Sequence, residues 1–293
     1  MTYRLEYQPP DDSLAHGESA RQRLQLERRY AIWLGETAAR LSPAEGIHDA
    51  DGPVLDLGHA IGHAVEHKES IRPDELVRIP DAPKFASTRI RVVNDTTLAV
   101  ARRMSERDAS TAALNFANGV EPGGGFLMGS LAQEETLCRS SALYATLVGD
   151  PMYEAHRSQE LPPESSAWII RSPRVPVFRS DDGKPEAAPW RADFLTCAAP
   201  LATLVGQPRS HELLDRRIHR MFEVAVSRGH ASLVLGAWGC GAFRNDPEVV
   251  AVLFRRHLET FAGHFREVVF AITDWSEDRR TFRPFARTLA DRV

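Results

Sequence analysis

The sequence predicts an α/β fold of three layers, with helices on both faces of a mixed, largely parallel central sheet and a helical extension at the N-terminus. Three observations support this fold class. Apolar β-rich runs alternate with helical stretches after residue 87, glycine-rich loops follow two of those runs, and residues 1–87 lack the alternation. Such alternation favours a parallel sheet, because each helix returns the chain to the edge where the strands begin. We therefore expect a main domain over residues 88–293 and an extension over residues 1–87.

The N-terminal segment differs in composition from the rest of the chain. Residues 19–41 are arginine-rich and helical in pattern, whereas residues 42–83 are interrupted by glycines and prolines. The candidate core contacts of the helical part are Leu24, Tyr30, Leu34 and Leu41. We expect this segment to pack on the main domain.

The main domain reads as an alternating series of strands and helices. Strands are predicted over residues 88–93, 113–117, 167–170, 194–198, 232–235 and 267–272. Helices are predicted over residues 96–106, 132–147, 209–228, 247–261 and 277–291. Residues 149–166 and 179–189, rich in proline, serine and charge, are expected to be exposed loops. Because ligands in this architecture bind beyond the carboxyl ends of the strands, the loops that follow the strands are the candidate site.

Composition excludes several classes of protein. The formal net charge is −4 and no run of five like charges occurs, which argues against a general nucleic-acid or membrane-surface binder. The three cysteines form no CxxC pair, so neither a disulfide framework nor a cysteine-rich zinc site is indicated. The sequence shows no leader segment and no apolar run of membrane-spanning length, and we expect a protein of the reducing cytoplasm with no membrane partner.

The first loop with chemical character runs from Asn118 to Glu135. The glycines at 123–125 allow a ligand to approach the backbone without meeting a Cβ atom. Glu134 and Glu135 then open a helix, and two neighbouring carboxyl groups in a partly dry site raise one pKa, which allows a proton to be donated near neutral pH. Taken separately, each piece is more often structural, as a flexible turn or as acidic residues at a helix start. Their combination after a strand is far more specific.

The second loop follows the strand at 232–235 and contains Gly236, Gly239 and Gly241. The residues after this loop predict a helix, with Asp246 as its N-cap and Pro247 as its first residue. Backbone N–H groups and the positive end of a helix dipole make such a loop a suitable cradle for a diphosphate, although a structural turn is the alternative. The sequence has neither GxxxxGK[ST] nor a proper GxGxxG, which argues against a nucleoside-triphosphate P-loop and a dinucleotide oxidoreductase.

These motifs resemble one known family. GGG is followed, after residues 126–132, by QEE at 133–135, and LNFAN, FLMGSLAQEE and LCRSSALY extend the match. Together they resemble the signature of microbial-type poly(ADP-ribose) glycohydrolases, whose core is a macrodomain, over approximately residues 88–290. The resemblance implies hydrolysis of ribose–ribose bonds in poly(ADP-ribose) with release of ADP-ribose and without a metal or other cofactor. The implied partners are the polymer and poly(ADP-ribosyl)ated proteins, with no sequence-specific nucleic-acid binding.

The resemblance also implies roles for individual residues. Glu135 would be the catalytic acid/base, Glu134 would help to position the substrate ribose, and Asn118 would hydrogen-bond that ribose. The other implied substrate contacts are Gly123, Gly124, Gly125 and Gln133 in the first loop, Gly239, Cys240, Gly241, Ala242 and Phe243 in the second, and Asp95 and Phe285 near the adenine. For Asp95 the alternative is helix capping, and for Phe285 it is ordinary core packing.

Alternative functions would be indicated by different sequence motifs. A non-catalytic ADP-ribose-binding module would keep the glycine loops and lose the paired glutamates, and mono-ADP-ribosyl hydrolases of related fold generally lack QEE. His59, His63 and His67 recur every four residues, which would suit a metal site or a polar helix face, and no HExxH accompanies them. Cys138 and Cys240 lie in or beside the two loops, but no particular histidine is singled out as a partner base for a cysteine hydrolase.

Overall fold

The computed structural model describes residues 3–41 and 57–290, and these residues form one eight-stranded sheet. The strands are β1 (Arg4–Tyr7), β2 (Glu69–Ile71), β3 (Ser87–Val93), β4 (Thr111–Ala117), β5 (Ile169–Arg179), β6 (Pro185–Ala198), β7 (Ser232–Leu235) and β8 (Glu267–Ala271). Their order is β1-β3-β8-β7-β4-β6-β5-β2. Every pair from β1 to β6 is parallel, and only the β6–β5 and β5–β2 pairs are antiparallel. The predicted mixed, largely parallel sheet is confirmed.

Helices cover both faces of this sheet. They are α1 (Leu14–Leu24), α2 (Arg28–Ala39), α3 (Gly58–Glu66), α4 (Thr97–Ser105), α5 (Gln133–Ser140), α6 (Leu143–Leu147), α7 (Pro151–Arg157), α8 (Ala202–Val205), α9 (Arg209–Ser227), α10 (Pro247–Thr260) and α11 (Phe282–Thr288). Alternation along β4 sends Leu114 into the core shared with α9, α10 and α11, and Ala113 into the core shared with α3 to α7. In the described part of the chain, no helix is both long and apolar enough to cross a membrane.

The helix predicted over residues 132–147 is interrupted in the structure. α5 ends at Ser140, and Ser141 adopts an extended backbone that forms an antiparallel bridge to Val177 in β5. The Ser141 hydroxyl donates to the Leu137 carbonyl at 2.7 Å and accepts from the Leu143 amide at 3.2 Å. A serine side chain that binds the backbone in this way competes with the helix, and the chain starts again as α6.

The last predicted helix, over residues 277–291, begins later than expected. Asp274 holds the preceding loop, because its carboxylate accepts from the backbone amides of Ser276, Thr281 and Phe282 at 2.8–3.0 Å. The helix α11 therefore starts only at Phe282. The predicted end of this helix, residue 291, lies outside the described residues.

The two segments predicted to be exposed loops contain regular structure. Residues 149–166 include the helix α7, whose first turn is capped by the Asp150 side chain. Residues 179–189 belong largely to a long hairpin of β5 and β6. This hairpin extends past the residues at which β6 pairs with β4 and β5 pairs with β2. Arg179 is buried, and its guanidinium donates to the carbonyls of Leu34 and Arg139. The sequence of residues 179–189 is polar and has no local pattern that predicts strands, because these strands form by pairing with each other.

The segment before residue 88 contributes to the sheet as well as packing on it. The predicted helix over residues 19–41 is divided into α1 and α2, and α2 packs on α5 and on the 3-10 helix Phe126–Met128. The strand β1 pairs with β3 at one edge, and β2 pairs with β5 at the other. The division at residue 88 stays a prediction, and residues 42–56 of the predicted extension lie outside the described part of the chain.

Replacement of Leu34 by alanine should destabilise the protein. Leu34 is fully buried in α2 and lies under Gly183 of the β5–β6 turn, whereas Tyr30, also predicted to be a core residue, is 38% exposed. We expect Leu34→Ala to lower the free energy of unfolding by about 2–5 kcal/mol, the range for large cavities in a core. Denaturant unfolding measures the change, with Tyr30→Ala as the control that should cost clearly less. Equal losses for the two variants would contradict this account of the packing of α2.

Candidate active site

A cavity of about 490 Å³ opens where the parallel strands end. Its walls come from the residues that follow β3, β4, β6, β7 and β8, from the first turn of α5, and from Leu24 and Gln25 at the end of α1. This is the position that the fold class predicts for a ligand. The N-terminal segment thus supplies part of one wall.

The cavity brings together most of the predicted site residues. Those that line it are Asp95, Asn118, Gln133, Glu134, Glu135, Gly239, Gly241, Ala242 and Phe243. Gly124 lies directly behind the two glutamates, between Gly123 and Gly125. Cys240 and Phe285 do not line the cavity.

The glycine loop touches both carboxylates through its backbone. Gly124 has a φ of +57°, in the left-handed region that favours glycine, and a Cβ atom there would lie 2.6 Å from Glu135 Oε1 and 3.0 Å from Glu134 Oε2. The neighbouring Gly125 amide donates to Glu135 Oε1 at 3.0 Å. The loop therefore acts as a template that sets the position of the two acidic side chains.

Glu134 is buried and well supplied with hydrogen bonds. Its side chain is about 3% exposed, Oε2 accepts from the Asn118 amide at 2.7 Å, and Oε1 accepts from Asn115 Nδ2 at 3.3 Å. Burial raises the pKa of Glu134 to about 8, and the nearby charge of Glu135 acts in the same direction. The pair of carboxyl groups therefore retains one proton at neutral pH.

Glu135 presents a different environment. It is 9% exposed and lines the cavity, and among the described residues its Oε2 atom has no hydrogen-bond partner. A buried carboxyl oxygen without a partner is costly unless it carries a proton or meets a ligand. In the described part of the chain, Oε2 of Glu135 is thus the oxygen of the pair whose hydrogen-bonding capacity is unused.

Gln133 anchors the start of α5 to the central strand. Its Oε1 accepts from the Phe116 amide at 2.9 Å, and its Nε2 donates to the Leu114 carbonyl at 2.7 Å. The pairing of β4 with β7 covers only residues 111–113, so the Gln133 amide takes the place of a neighbouring strand for these two backbone groups. Besides lining the cavity, Gln133 holds the helix that carries the glutamates.

Asn115 is a site residue that the sequence analysis missed. It is fully buried on β4 and donates to both Glu134 Oε1 and Thr196 Oγ1. The signal that could have revealed it is a polar amide in the middle of an apolar strand, since such a group needs a buried partner.

The second glycine loop is held open toward the cavity. Gly239 has a φ of +77°, and a Cβ atom there would meet Asn245 Nδ2 and the Ala199 Cβ atom at 2.7–2.8 Å. Asn245 in turn donates to the carbonyls of Pro200 and Gly239. A Cβ atom on Gly241 would meet no protein atom within 4 Å, so this part of the loop faces open space. As predicted, Asp246 caps α10 directly after the loop and Pro247 is its first residue.

Both carboxylate oxygens of Asp95 accept hydrogen bonds from other residues of the protein. Oδ1 accepts from Arg23 Nη2 at 2.6 Å and from the Thr96 amide at 2.8 Å, and Oδ2 accepts from Arg103 Nη2 at 2.8 Å. The cap of α4 is Thr96 and not Asp95. A second carboxylate, Asp181 from the β5–β6 turn, lines the cavity beside it and accepts from Thr96 Oγ1, and burial raises its pKa to about 6. No local pattern marks Asp181 in the sequence.

Phe285 and Cys240 belong to the core and not to the cavity wall. Phe285 is fully buried, with ring centroids 5.8 Å from Phe270 and 6.4 Å from Phe254, which is the core-packing alternative. At that end of the cavity the structure places Trp275, which is 47% exposed, and Thr281. The Cys240 sulfur lies 3.7 Å from the Trp238 carbonyl, and burial raises the pKa of its thiol, which disfavours a nucleophilic thiolate.

The described structure does not support a metal site at His59, His63 and His67. On α3 the rings of His63 and His67 stack with centroids 4.1 Å apart, and His67 Nδ1 lies 2.9 Å from the His63 carbonyl. Over residues 3–41 and 57–290, no group of three or more histidine, cysteine, aspartate or glutamate side chains is placed to hold a metal ion.

Comparisons with known proteins agree on one family. The model of the microbial-type PARG catalytic domain matches residues 37–180. The poly(ADP-ribose) glycohydrolase of Thermomonospora curvata is 36% identical, with a TM-score of 0.79 over 89% of this chain and 99% of that one. The same enzyme bound to the inhibitor ADP-HPD is 37% identical, with a TM-score of 0.79 over 88% and 99%. The enzyme of Deinococcus radiodurans in complex with ADP-ribose is 38% identical, with a TM-score of 0.73 over 78% and 96%. Among curated protein sequences, none matches.

Proposed function

This chain belongs to the microbial-type poly(ADP-ribose) glycohydrolase family, and from that membership we propose that it is a glycosidase that hydrolyses the ribose–ribose O-glycosidic bonds of poly(ADP-ribose) and releases ADP-ribose. One observation in the structure carries the proposal. A buried pair of glutamates, with one unpartnered oxygen on Glu135, faces a cavity between two glycine-rich loops.

In this proposal, the proton that the pair retains is delivered to the substrate from Glu135. Glu134 accepts hydrogen bonds from the Asn118 amide and the Asn115 side chain, and both bonds favour its ionised form. No donor from the residues that the structure describes reaches Oε2 of Glu135, so a proton there relieves the cost of an unpartnered oxygen. This distribution leaves Glu135 as the acid and Glu134 as a carboxylate that accepts from the hydroxyl groups of the bound ribose.

Hydrolysis then follows from the two states of Glu135. Protonated Glu135 gives its proton to the departing ribose oxygen while an oxocarbenium-like sugar forms at the anomeric carbon. The resulting carboxylate takes a proton from a water molecule that attacks that carbon, and Glu135 returns to its starting state. The mechanism assigns both proton transfers to one residue and uses no metal or other cofactor.

The order of loops along the sheet suggests how the substrate lies. The scissile ribose is assigned to Asn118 and the glutamates after β4, and the diphosphate to the loop containing Gly239 and Gly241 after β7. The adenosine then lies over the ends of β8 and β3, where Trp275 and Asp95 form the wall. Phe243, at the end of the second loop, packs against the distal ribose. Binding energy from the diphosphate orients the bond to be cleaved.

The biological substrates in this proposal are poly(ADP-ribosyl)ated proteins of the cytoplasm. The polymer is a polyanion, whereas the formal net charge of the chain is −4, so recognition rests on the local donors of the two loops and not on a general basic surface.

Incubation of the purified protein with poly(ADP-ribosyl)ated substrate, without added metal, tests the function directly. Chromatography should detect free ADP-ribose accumulating with time. Binding of the polymer without release would favour an ADP-ribose-binding module, and release only from singly modified residues would favour a mono-ADP-ribosyl hydrolase. Either outcome would replace the proposed function.

The pH dependence of kcat should report the proton held by the glutamate pair. Burial raises the pKa of Glu134 to about 8, and above this pH the pair loses the proton that the leaving ribose requires. We expect kcat to decline as the pH rises through about 8, approaching tenfold per pH unit well above it. Measurement at saturating polymer between pH 6 and 10 checks this expectation, with circular dichroism to show that the fold persists. A constant kcat up to pH 10 would exclude a proton donor on this pair.

A further inference from the structure

Arg139 is a buried cation that forms no ion pair within residues 3–41 and 57–290. It follows Glu135 by one turn of α5 and is fully buried. Its Nη1 donates to the Ser130 carbonyl at 3.0 Å, its Nη2 donates to Thr136 Oγ1 at 2.7 Å, and its Nε has no partner in the described part of the chain. Among the described residues, no carboxylate lies within ion-pair distance of this guanidinium. A buried charge is costly to keep without compensation, so its retention needs an explanation.

We propose that Arg139 is a positioning residue that holds the glycine loop against Glu135 and sets, through its charge, the pH range in which the glutamate pair carries a single proton. The inference rests on the proposed function, because it concerns the protonation state that the proposed hydrolysis requires.

The first part of the inference follows from a chain of hydrogen bonds. Arg139 donates to the carbonyl of Ser130, and the Ser130 amide donates to the Gly125 carbonyl at 3.1 Å. The Gly125 amide donates to Glu135 Oε1 at 3.0 Å. Arg139 therefore connects the end of the loop, the loop glycine and the acidic side chain through consecutive contacts.

The second part follows from electrostatics in a dry interior. Burial lowers the pKa of Arg139 to about 10, which still leaves the guanidinium charged at neutral pH, and Glu135 and Asp181 are the carboxylates that stabilise this charge. A positive charge close to buried carboxyl groups favours their ionised forms. Arg139 follows Glu135 by one turn of α5, so its charge acts on the Glu135 side of the pair and favours a single proton there over two.

The other titratable groups around the two glutamates are either uncharged or lie near a group of opposite charge. Burial raises the pKa of the Cys138 thiol and the Tyr153 hydroxyl well above their usual values, so both stay uncharged in the working range. Asp181 approaches Arg139 from the β5–β6 turn, and its charge counteracts that of the guanidinium. Beyond these groups lie Arg23 and Asp95 at the cavity wall, and Tyr144 and Glu121 beside the glycine loop.

Two substitutions of opposite charge separate this role from a purely structural one. Arg139→Met removes the cation, and Asp181→Asn removes the anion that opposes it with little change in shape. We expect both limbs of the profile of kcat against pH to move upward by about one pH unit in Arg139→Met. In Asp181→Asn the alkaline limb should move downward by a smaller amount, whereas below about pH 6 the Asp181 carboxyl is already protonated and its replacement changes no charge. Measurements use the full chain with polymer at saturation, and circular dichroism and thermal unfolding monitor the fold.

Movement of the alkaline limb in opposite directions in the two variants supports the inference. A lower rate with limbs at the wild-type pH in both variants would overturn it, because a merely structural residue changes the rate and not the protonation. If Arg139→Met does not fold, Asp181→Asn decides, and an unmoved profile in that variant overturns the inference. If the wild-type protein releases no ADP-ribose, the proposed function fails separately. Carbon-13 NMR titration of the glutamate carboxyl groups in the wild type and Asp181→Asn then tests the charge effect without turnover, and identical titration curves refute it.

Discussion

Replacement of Glu135 by glutamine is expected to lower kcat for polymer hydrolysis by a factor on the order of 10² to 10⁴ while ADP-ribose still binds. Glutamine has the shape of glutamate and can keep its contact with the Gly125 amide, but it has no proton to give to the leaving ribose. Among the described residues, the buried Oε2 position has no partner, and in the variant it is occupied by the amide nitrogen. The loss should therefore appear in kcat, because an interaction made only in the transition state has been removed.

Release of ADP-ribose under single-turnover conditions and calorimetry with ADP-ribose measure the two parts of this prediction. Glu154→Gln on α7 provides a matched control, since the Glu154 side chain is largely exposed and pairs only with Arg157 and Ser158 at the surface. Hydrolysis at the wild-type rate by Glu135→Gln would show that another group is the acid.

Replacement of Gly124 by alanine is the second substitution with a large expected effect. A Cβ atom at this position would lie 2.6 Å from Glu135 Oε1 and 3.0 Å from Glu134 Oε2, so both carboxylates or the loop must shift. Displacement of a catalytic group by about 1 Å costs about 10²-fold in rate, and we expect a loss of at least this size in kcat. Steady-state kinetics with the polymer checks the prediction.

The backbone conformation at Gly124 has its own cost, which a second glycine isolates. Gly229 also has a positive φ, of +76°, but a Cβ atom there would meet nothing within 4 Å. Gly229→Ala therefore carries the strain of a left-handed alanine without contact with the glutamates, and it should lower thermal stability with kcat unchanged. An equal loss of kcat in the two variants would attribute the effect to strain and not to the carboxylates.

Local sequence signals were enough to predict both loops and the strands β3, β4, β7 and β8, whereas β1 and β2 were not predicted and β5 and β6 are longer than their predicted runs. The strand β7 has the bounds that its apolar run indicates, and the N-cap Asp246 and first-turn Pro247 of α10 lie where their residue types place them. The glycines and glutamates between 123 and 135 come together because a single loop and helix turn contain them all. Features within one supersecondary unit can be predicted, since the residues that make them are neighbours in sequence.

Features that depend on distant residues could not be predicted in this way. The sequence predicts that Asp95 contacts a ligand. In the structure Arg23, which lies in α1 and is distant in sequence, donates a hydrogen bond to Oδ1 of Asp95. Phe285 follows the last strand at the expected distance, yet Asp274 delays the helix and turns the ring into the core, where it meets Phe254. The pattern around Ser141 reads as continuous helix, but the bridge to Val177 of β5, together with the hydrogen bonds of the Ser141 hydroxyl, ends the helix there. In each case a tertiary contact overrides the local propensity.

The two edges of the sheet have a consequence for how the chain is made. The strand β1 pairs with residues 87–90 and β2 with residues 169–171, so on the ribosome both edge strands are synthesised well before their partners. Each must wait, unpaired and exposed, while the nascent chain lengthens. The last central strands, β7 and β8, emerge later still and join β3 to β4. The sheet can therefore close only after its last strands have been made, because β3 and β4 are connected within it through β8 and β7.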